Sequence, residues 1–98
     1  MILEIAEYTA QPGKGEALAA GLRQGIGIIR RADGCQSVHL RRCAEQPDRF
    51  IAEIMWETLE HHTIRFRGSP QFQEYRSHIA GLFVDPIVVH HYEQIAAV

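Results

Sequence analysis

Two segments of this chain read as strands that are apolar on both faces, and that feature constrains the fold more than any other. Residues 50–57 alternate Phe50, Ala52, Ile54 and Trp56 with Ile51, Glu53 and Met55. Residues 87–94 alternate Ile87, Val89 and His91 with Val88, His90 and Tyr92. Successive strand residues point to opposite sides of a sheet, so both sides of these strands need a cover. The chain offers only one layer of helices. A second copy of the same sheet is the simplest cover for the other face, which predicts a homodimer packed sheet to sheet.

The remaining segments supply a β-α-β-β-α-β order. Residues 2–9 are a strand by composition, and Gln11-Pro12-Gly13 ends it. From Lys14 to Ala32, Leu18, Leu22, Ile26 and Ile29 recur at helical spacing, and Gly34 is a natural stop. Gly21, Gly25 and Gly27 lie inside this helix, where small residues would let it approach the sheet closely. Residues 36–44 form the second strand, with Val38 and Leu40 on one face, and a turn over 45–49 joins it to the third. Thr58 is a candidate cap for a short helix over 59–67. Ser69 and Pro70 then open a helix that the inward spacing of Phe72, Tyr75 or Arg76, Ile79 and Leu82/Phe83 carries to about residue 83. The expectation is one α+β domain over residues 1–98, with a ferredoxin-like four-stranded antiparallel sheet that pairs into a dimeric α/β barrel.

Charge and cysteine usage exclude several classes. Net charge is −2 with six histidines counted neutral, and Lys14 is the only lysine. No Lys/Arg stripe can neutralise a phosphate backbone, so nucleic acid is not an expected partner. No apolar run reaches the roughly 18–20 residues of a bilayer span, and the N-terminus lacks the basic start and apolar stretch of a signal peptide. A cytoplasmic protein with reduced Cys35 and Cys43 and no membrane partner is the expectation. His90 and His91 point to opposite strand faces, and His61 and His62 diverge on a helix, so no metal site is expected. Neither cysteine has an activating helix N-terminus, no serine sits in an elbow motif, and the glycines miss phosphate-loop spacing.

The strand Phe50-Ile-Ala-Glu-Ile-Met-Trp-Glu-Thr58, the short helix after it, and Phe66-Arg67-Gly68-Ser69-Pro70-Gln71-Phe72 resemble the antibiotic biosynthesis monooxygenase (ABM) family. Pro12-Gly13-Lys14 and Asp33-Gly34-Cys35 fit the same resemblance, which covers nearly the whole chain. It implies a pocket between sheet and helices in each subunit. It also implies chemistry ranging from cofactor-independent oxidation of phenols and quinols to haem degradation. Trp56 matches the family's strand-ending Trp, His62 lies near a Tyr of the phenol-oxidising members, and Arg76 matches their helix Arg. Ala52 stands near their Asn, and Phe66 and Gln71 replace both histidines of a common family pattern. Arg76 also falls near the iron-ligand position of the haem-degrading members, which argues against haem.

The expected function is a monooxygenase that uses O2 and no cofactor on an aromatic phenol or quinol. His62 is the candidate base, because imidazole titrates near neutrality. Arg76 is the candidate partner of developing negative charge. Trp56 would form a flat wall against a planar ligand, with Tyr8, Phe66, Phe72 and His91 as further lining. The alternative is a non-catalytic dimeric barrel that binds a small molecule or signals; in either case a small aromatic molecule is the expected partner.

Overall fold

The computed structural model describes residues 1–98. It contains β1 (Ile2–Thr9), α1 (Gly15–Arg30), β2 (Cys35–Arg42), β3 (Arg49–Trp56), a π-helical turn (His61–Phe66), α2 (Pro70–Ser77) and β4 (Val88–Tyr92). The strands form one antiparallel sheet in the order β2-β3-β1-β4, the ferredoxin-like arrangement. No helix is long and apolar enough to cross a membrane.

Strand alternation sorts the sheet into two different faces. Ala6 and Tyr8 of β1 and Phe50, Ala52, Ile54 and Trp56 of β3 are all buried on the side that carries the helices. The core closes with Leu18, Leu22, Ile28 and Ile29 of α1, and with Phe66, Tyr75, Ile79 and Phe83. The opposite face carries no helix. There, cross-strand neighbours bring Leu3 beside Met55 and Tyr92, and Glu7 beside Ile51 and Val88. Between those rows Glu53 faces His39 and Ile5, and its carboxylate pairs with Arg41 of β2.

The second helix is shorter than its apolar spacing predicts. It ends at Ser77, where His78 N, Ile79 N and Leu82 N each bond a carbonyl only three residues back. Ile79 and Phe83 remain buried, so tight turns place the same residues inward that a continuous helix would. β4 is also shorter, at Val88–Tyr92 rather than 87–94. The helix stripe of α1 turns toward Ile28, and Ile26 is only half-buried. The glycines of α1 serve a different neighbour from the expected sheet: Gly21 faces the His78 carbonyl and Gly25 faces the Tyr75 ring.

Candidate active site

The site is built by β1, β4 and the π turn around one buried carboxylate. Glu4 shares the helix-side face with Ala6 and Tyr8, and its register partners are Ile54 and His91. It is 4 % exposed. Its Oε1 accepts a hydrogen bond from Trp56 Nε1 at 2.9 Å and lies 3.3 Å from His62 Nε2. The other ring nitrogen of His62, Nδ1, is 2.7 Å from His91 Nε2. Glu4, His62 and His91 therefore stand in one line of close polar contacts from the centre of β1 to the half-buried His91, with the hydrogen bond between the two imidazoles.

Local chain geometry holds His62 in place. Thr58 Oγ1 accepts from His61 N at 3.3 Å and caps the turn. Gly34, at φ 81°, leaves room for the His61 ring; a Cβ there would lie 2.3 Å from it. The turn is wide, with Arg67 N bonding His62 O five residues back. Both His62 and Phe66 point inward. The His62 ring stacks on Trp56 with centroids 5.3 Å apart and planes 16° from parallel.

Burial sets the electrostatics. Desolvation pushes the Glu4 carboxyl up to about 7, against the hydrogen bond from Trp56 and the charge of Arg67. Desolvation, with the Arg67 charge and His91 beside it, brings His62 down to about 3. His91 is lowered for the same first reason, with Arg67 and His90 adding to it. His62 is thus a neutral imidazole near pH 7, while Glu4 is poised to exchange a proton there. Tyr8 and Tyr75 share a hydrogen bond of 2.6 Å between their hydroxyls. Burial raises both phenols, Tyr75 to about 12, so both stay protonated.

A cavity of about 130 Å³ lies between the sheet and the helices. Glu4, Tyr8, His62, Phe66, Tyr75 and Arg76 are among its walls. Arg76 makes no ion pair; its guanidinium rests 5.9 Å from the Phe72 ring centroid and 5.2 Å from that of Phe83. An unpaired cation on one wall and a buried carboxylate with an imidazole on the other can bind a hydroxyl-bearing ring, take its proton and balance the resulting anion.

The structure sorts the expected residues by position. Tyr8, His62, Phe66, Phe72 and Arg76 line the cavity. Trp56 does not: it is 0 % exposed, sits behind His62 and reaches the site through its stack and its hydrogen bond to Glu4. It therefore backs the site and is no flat wall for a ligand, because the His62 ring occupies the space in front of its face. His91 also stands behind His62 and engages its Nδ1, while Nε2 lies 3.3 Å from Glu4. Glu4 is the residue that sequence reasoning missed. The signal was its place on the Ile2/Glu4/Ala6/Tyr8 face, where a carboxylate among apolar neighbours needs a reason. No group of three or more His, Cys, Asp or Glu side chains is arranged to hold a metal ion.

Fold and site define a ferredoxin-like α+β chain with an inner cavity beside a carboxylate–imidazole pair. The antibiotic biosynthesis monooxygenase (ABM) family model matches residues 1–77, and the chain belongs to that family. A Bordetella bronchiseptica structure, named provisionally as an antibiotic biosynthesis monooxygenase, is 38 % identical with a TM-score of 0.90, covering 97 % of each chain. The structure of Rv0793 from Mycobacterium tuberculosis is 25 % identical with a TM-score of 0.81, over 98 % of this chain and 96 % of that one. YczJ of Bacillus subtilis (strain 168), an uncharacterized protein, is 28 % identical over 97 % of this chain and all of its own length.

Proposed function

We propose that this chain is a cofactor-independent monooxygenase that uses O2 to oxidise a one-ring phenol or hydroquinone. The observation that carries this reading is the inner cavity, with the Glu4–His62 pair on one wall and the unpaired Arg76 on another. The provisional name of the Bordetella relative points the same way. In such chemistry the substrate itself reduces oxygen. The ring loses two hydrogens, one from a hydroxyl and one from carbon; one oxygen atom becomes a ring carbonyl and the other leaves as water. The wall that carries Glu4 and His62 faces the ring hydroxyl and takes its proton, Arg76 balances the phenolate, and Trp56 keeps the His62 plane fixed.

Cavity size narrows the substrate class. A dry apolar cavity of roughly 150 Å³ holds one benzene ring, and this one is about 130 Å³. A volume of this order matches one ring better than a tricyclic anthrone. Oxygen-electrode assays on monocyclic phenols and hydroquinones beside anthrones test the reading. It predicts uptake with the former, lost in His62→Ala; no uptake with any of them contradicts it.

A non-catalytic binding barrel is the second reading, favoured by Ala52 near the Asn position of the phenol-oxidising members and by Phe66 and Gln71 in place of both histidines of a common family pattern. Melting temperatures that rise with a phenol while no oxygen is consumed would select it. In either case we propose a homodimer through the uncovered sheet face, where Val88 and Tyr92 are 37 % and 50 % exposed. Light scattering that finds a monomer at micromolar concentration would contradict the pairing.

A further inference from the structure

His62 gives Nδ1 to His91 and holds Nε2 3.3 Å from Glu4, which raises the question of where a substrate proton goes. Glu4 Oε1 takes both the Trp56 bond and the His62 contact, and Oε2 makes no hydrogen bond within the chain. No fully buried side-chain oxygen or nitrogen lacks a partner, so Oε2 is not sealed in protein. Glu4 is a wall of the cavity, and Oε2 is the atom it has left to present there.

We propose that Glu4 is the catalytic residue that takes the hydroxyl proton of the bound ring, at Oε2. This inference rests on the reading of the cavity as a phenol site. The step balances: the phenol O–H bond breaks, the proton bonds to Oε2, and its electron pair stays on the phenolate oxygen beside Arg76. After O2 has bonded to a ring carbon, that carbon's C–H bond and the O–O bond break together: the C–H electron pair forms the ring carbonyl, its proton goes to the outer oxygen, and that oxygen leaves as hydroxide. That hydroxide takes the proton from Glu4 as water, and the carboxylate is restored.

The groups facing Glu4 favour one shared proton. His62 and Arg67 approach from the π turn and its end, His91 from β4, Tyr75 and Arg76 from α2, and Tyr8 from β1 itself. Cys35 of β2 senses the same carboxylate. Arg67 and Arg76 are the only permanent cations of this set. A bound phenolate and an ionised Glu4 together would place two anions in one small cavity, so binding a phenolate draws a proton onto the carboxylate.

The test uses 4-nitrophenol, whose anion is coloured and whose acidity lies near neutrality. Calorimetric titrations at pH 8, repeated in buffers of different ionisation enthalpy, count protons taken up on binding, while absorbance reports the state of the ring hydroxyl. The wild-type chain is expected to take up about one proton per site and keep the phenolate colour. Glu4→Gln is expected to bind the same anion with no uptake, and Glu4→Asp to restore uptake. Should Glu4→Gln not fold, Glu4→Asp and the wild type still decide the matter. Uptake that is absent in the wild type, uptake unchanged in Glu4→Gln, or loss of the phenolate colour on binding overturns the proposal. So does a lack of binding, which overturns the phenol-site reading with it. Failure to consume oxygen, with the proton uptake intact, removes the oxygenase reading and leaves the role of Glu4 standing as the proton acceptor of a binding site.

Discussion

Adding a single methyl at two glycines of α1 should move stability in opposite directions. A Cβ built on Gly21 falls 2.2 Å from the His78 carbonyl oxygen, more than 1 Å inside ordinary contact. That oxygen is backbone and cannot swing aside, so α1 and the turn after α2 must separate. Overpacking of this kind costs about 1–3 kcal/mol, and a contact this short belongs at the upper end. Replacing Gly by Ala in a helix returns about 1 kcal/mol, which leaves Gly21→Ala destabilised by about 2 kcal/mol. A Cβ on Gly27 meets nothing within 4 Å, so Gly27→Ala keeps the whole gain of about 1 kcal/mol. For a domain this small each kcal/mol moves the melting temperature by roughly 4–8 °C. Thermal melts followed by circular dichroism should therefore show a fall of roughly 8–16 °C for Gly21→Ala and a rise of roughly 4–8 °C for Gly27→Ala. Tyr75 and Arg76 lie just before His78, so Gly21→Ala should also weaken phenol binding. Two variants that shift in the same direction, or a neutral Gly21→Ala, would refute the packing argument.

Three further outcomes are expected. Glu4 is raised from 4.5 to about 7, so its stabilisation is full below about pH 4.5 and lost as pH rises through about 7; His62 is lowered from 6.5 to about 3, so its contribution is full above about pH 6.5 and lost as pH falls toward about 3. Urea melts should find wild-type stability nearly flat between about pH 4.5 and 6.5, with Glu4→Gln rising and His62→Gln falling as pH increases through the same window. Tyr75→Phe leaves the Tyr8 hydroxyl without its 2.6 Å partner and should cost about 1–3 kcal/mol by denaturant unfolding, whereas Tyr8→Phe with Tyr75→Phe should recover most of it. Arg76→Leu should weaken binding of 4-nitrophenolate about tenfold or more by calorimetry, because the cavity then keeps only Arg67 of its two unpaired cations.

Strand periodicity carried most of the fold. The two-faced alternation in residues 50–57 and 87–94, with breaks at Pro12-Gly13 and Gly34, was enough for the element order and the helix-side core. Helix length was harder to read. Ile79 and Phe83 keep helical spacing while the backbone leaves the helix after Ser77, because periodicity records which side chains are buried and not which carbonyl each N–H reaches. The site was legible in part. His62, Arg76, Tyr8, Phe66 and Phe72 all face one cavity, but no local pattern tells that Trp56 lies behind His62. That arrangement depends on the wide turn after Thr58. Glu4 was missed because a single acidic residue in a strand is ordinarily solvated. Its burial follows from the β1–β4 pairing that sets His91 beside it and from His62 closing over both.

The central claim is that this cavity inserts one atom of O2 into a one-ring phenol or hydroquinone. Turnover under isotopically heavy O2, with products analysed by mass spectrometry, tests it most directly. The account predicts a quinone that carries one heavy oxygen, with the second recovered in water and both lost in Glu4→Gln. A quinone without label, accompanied by hydrogen peroxide, would contradict it.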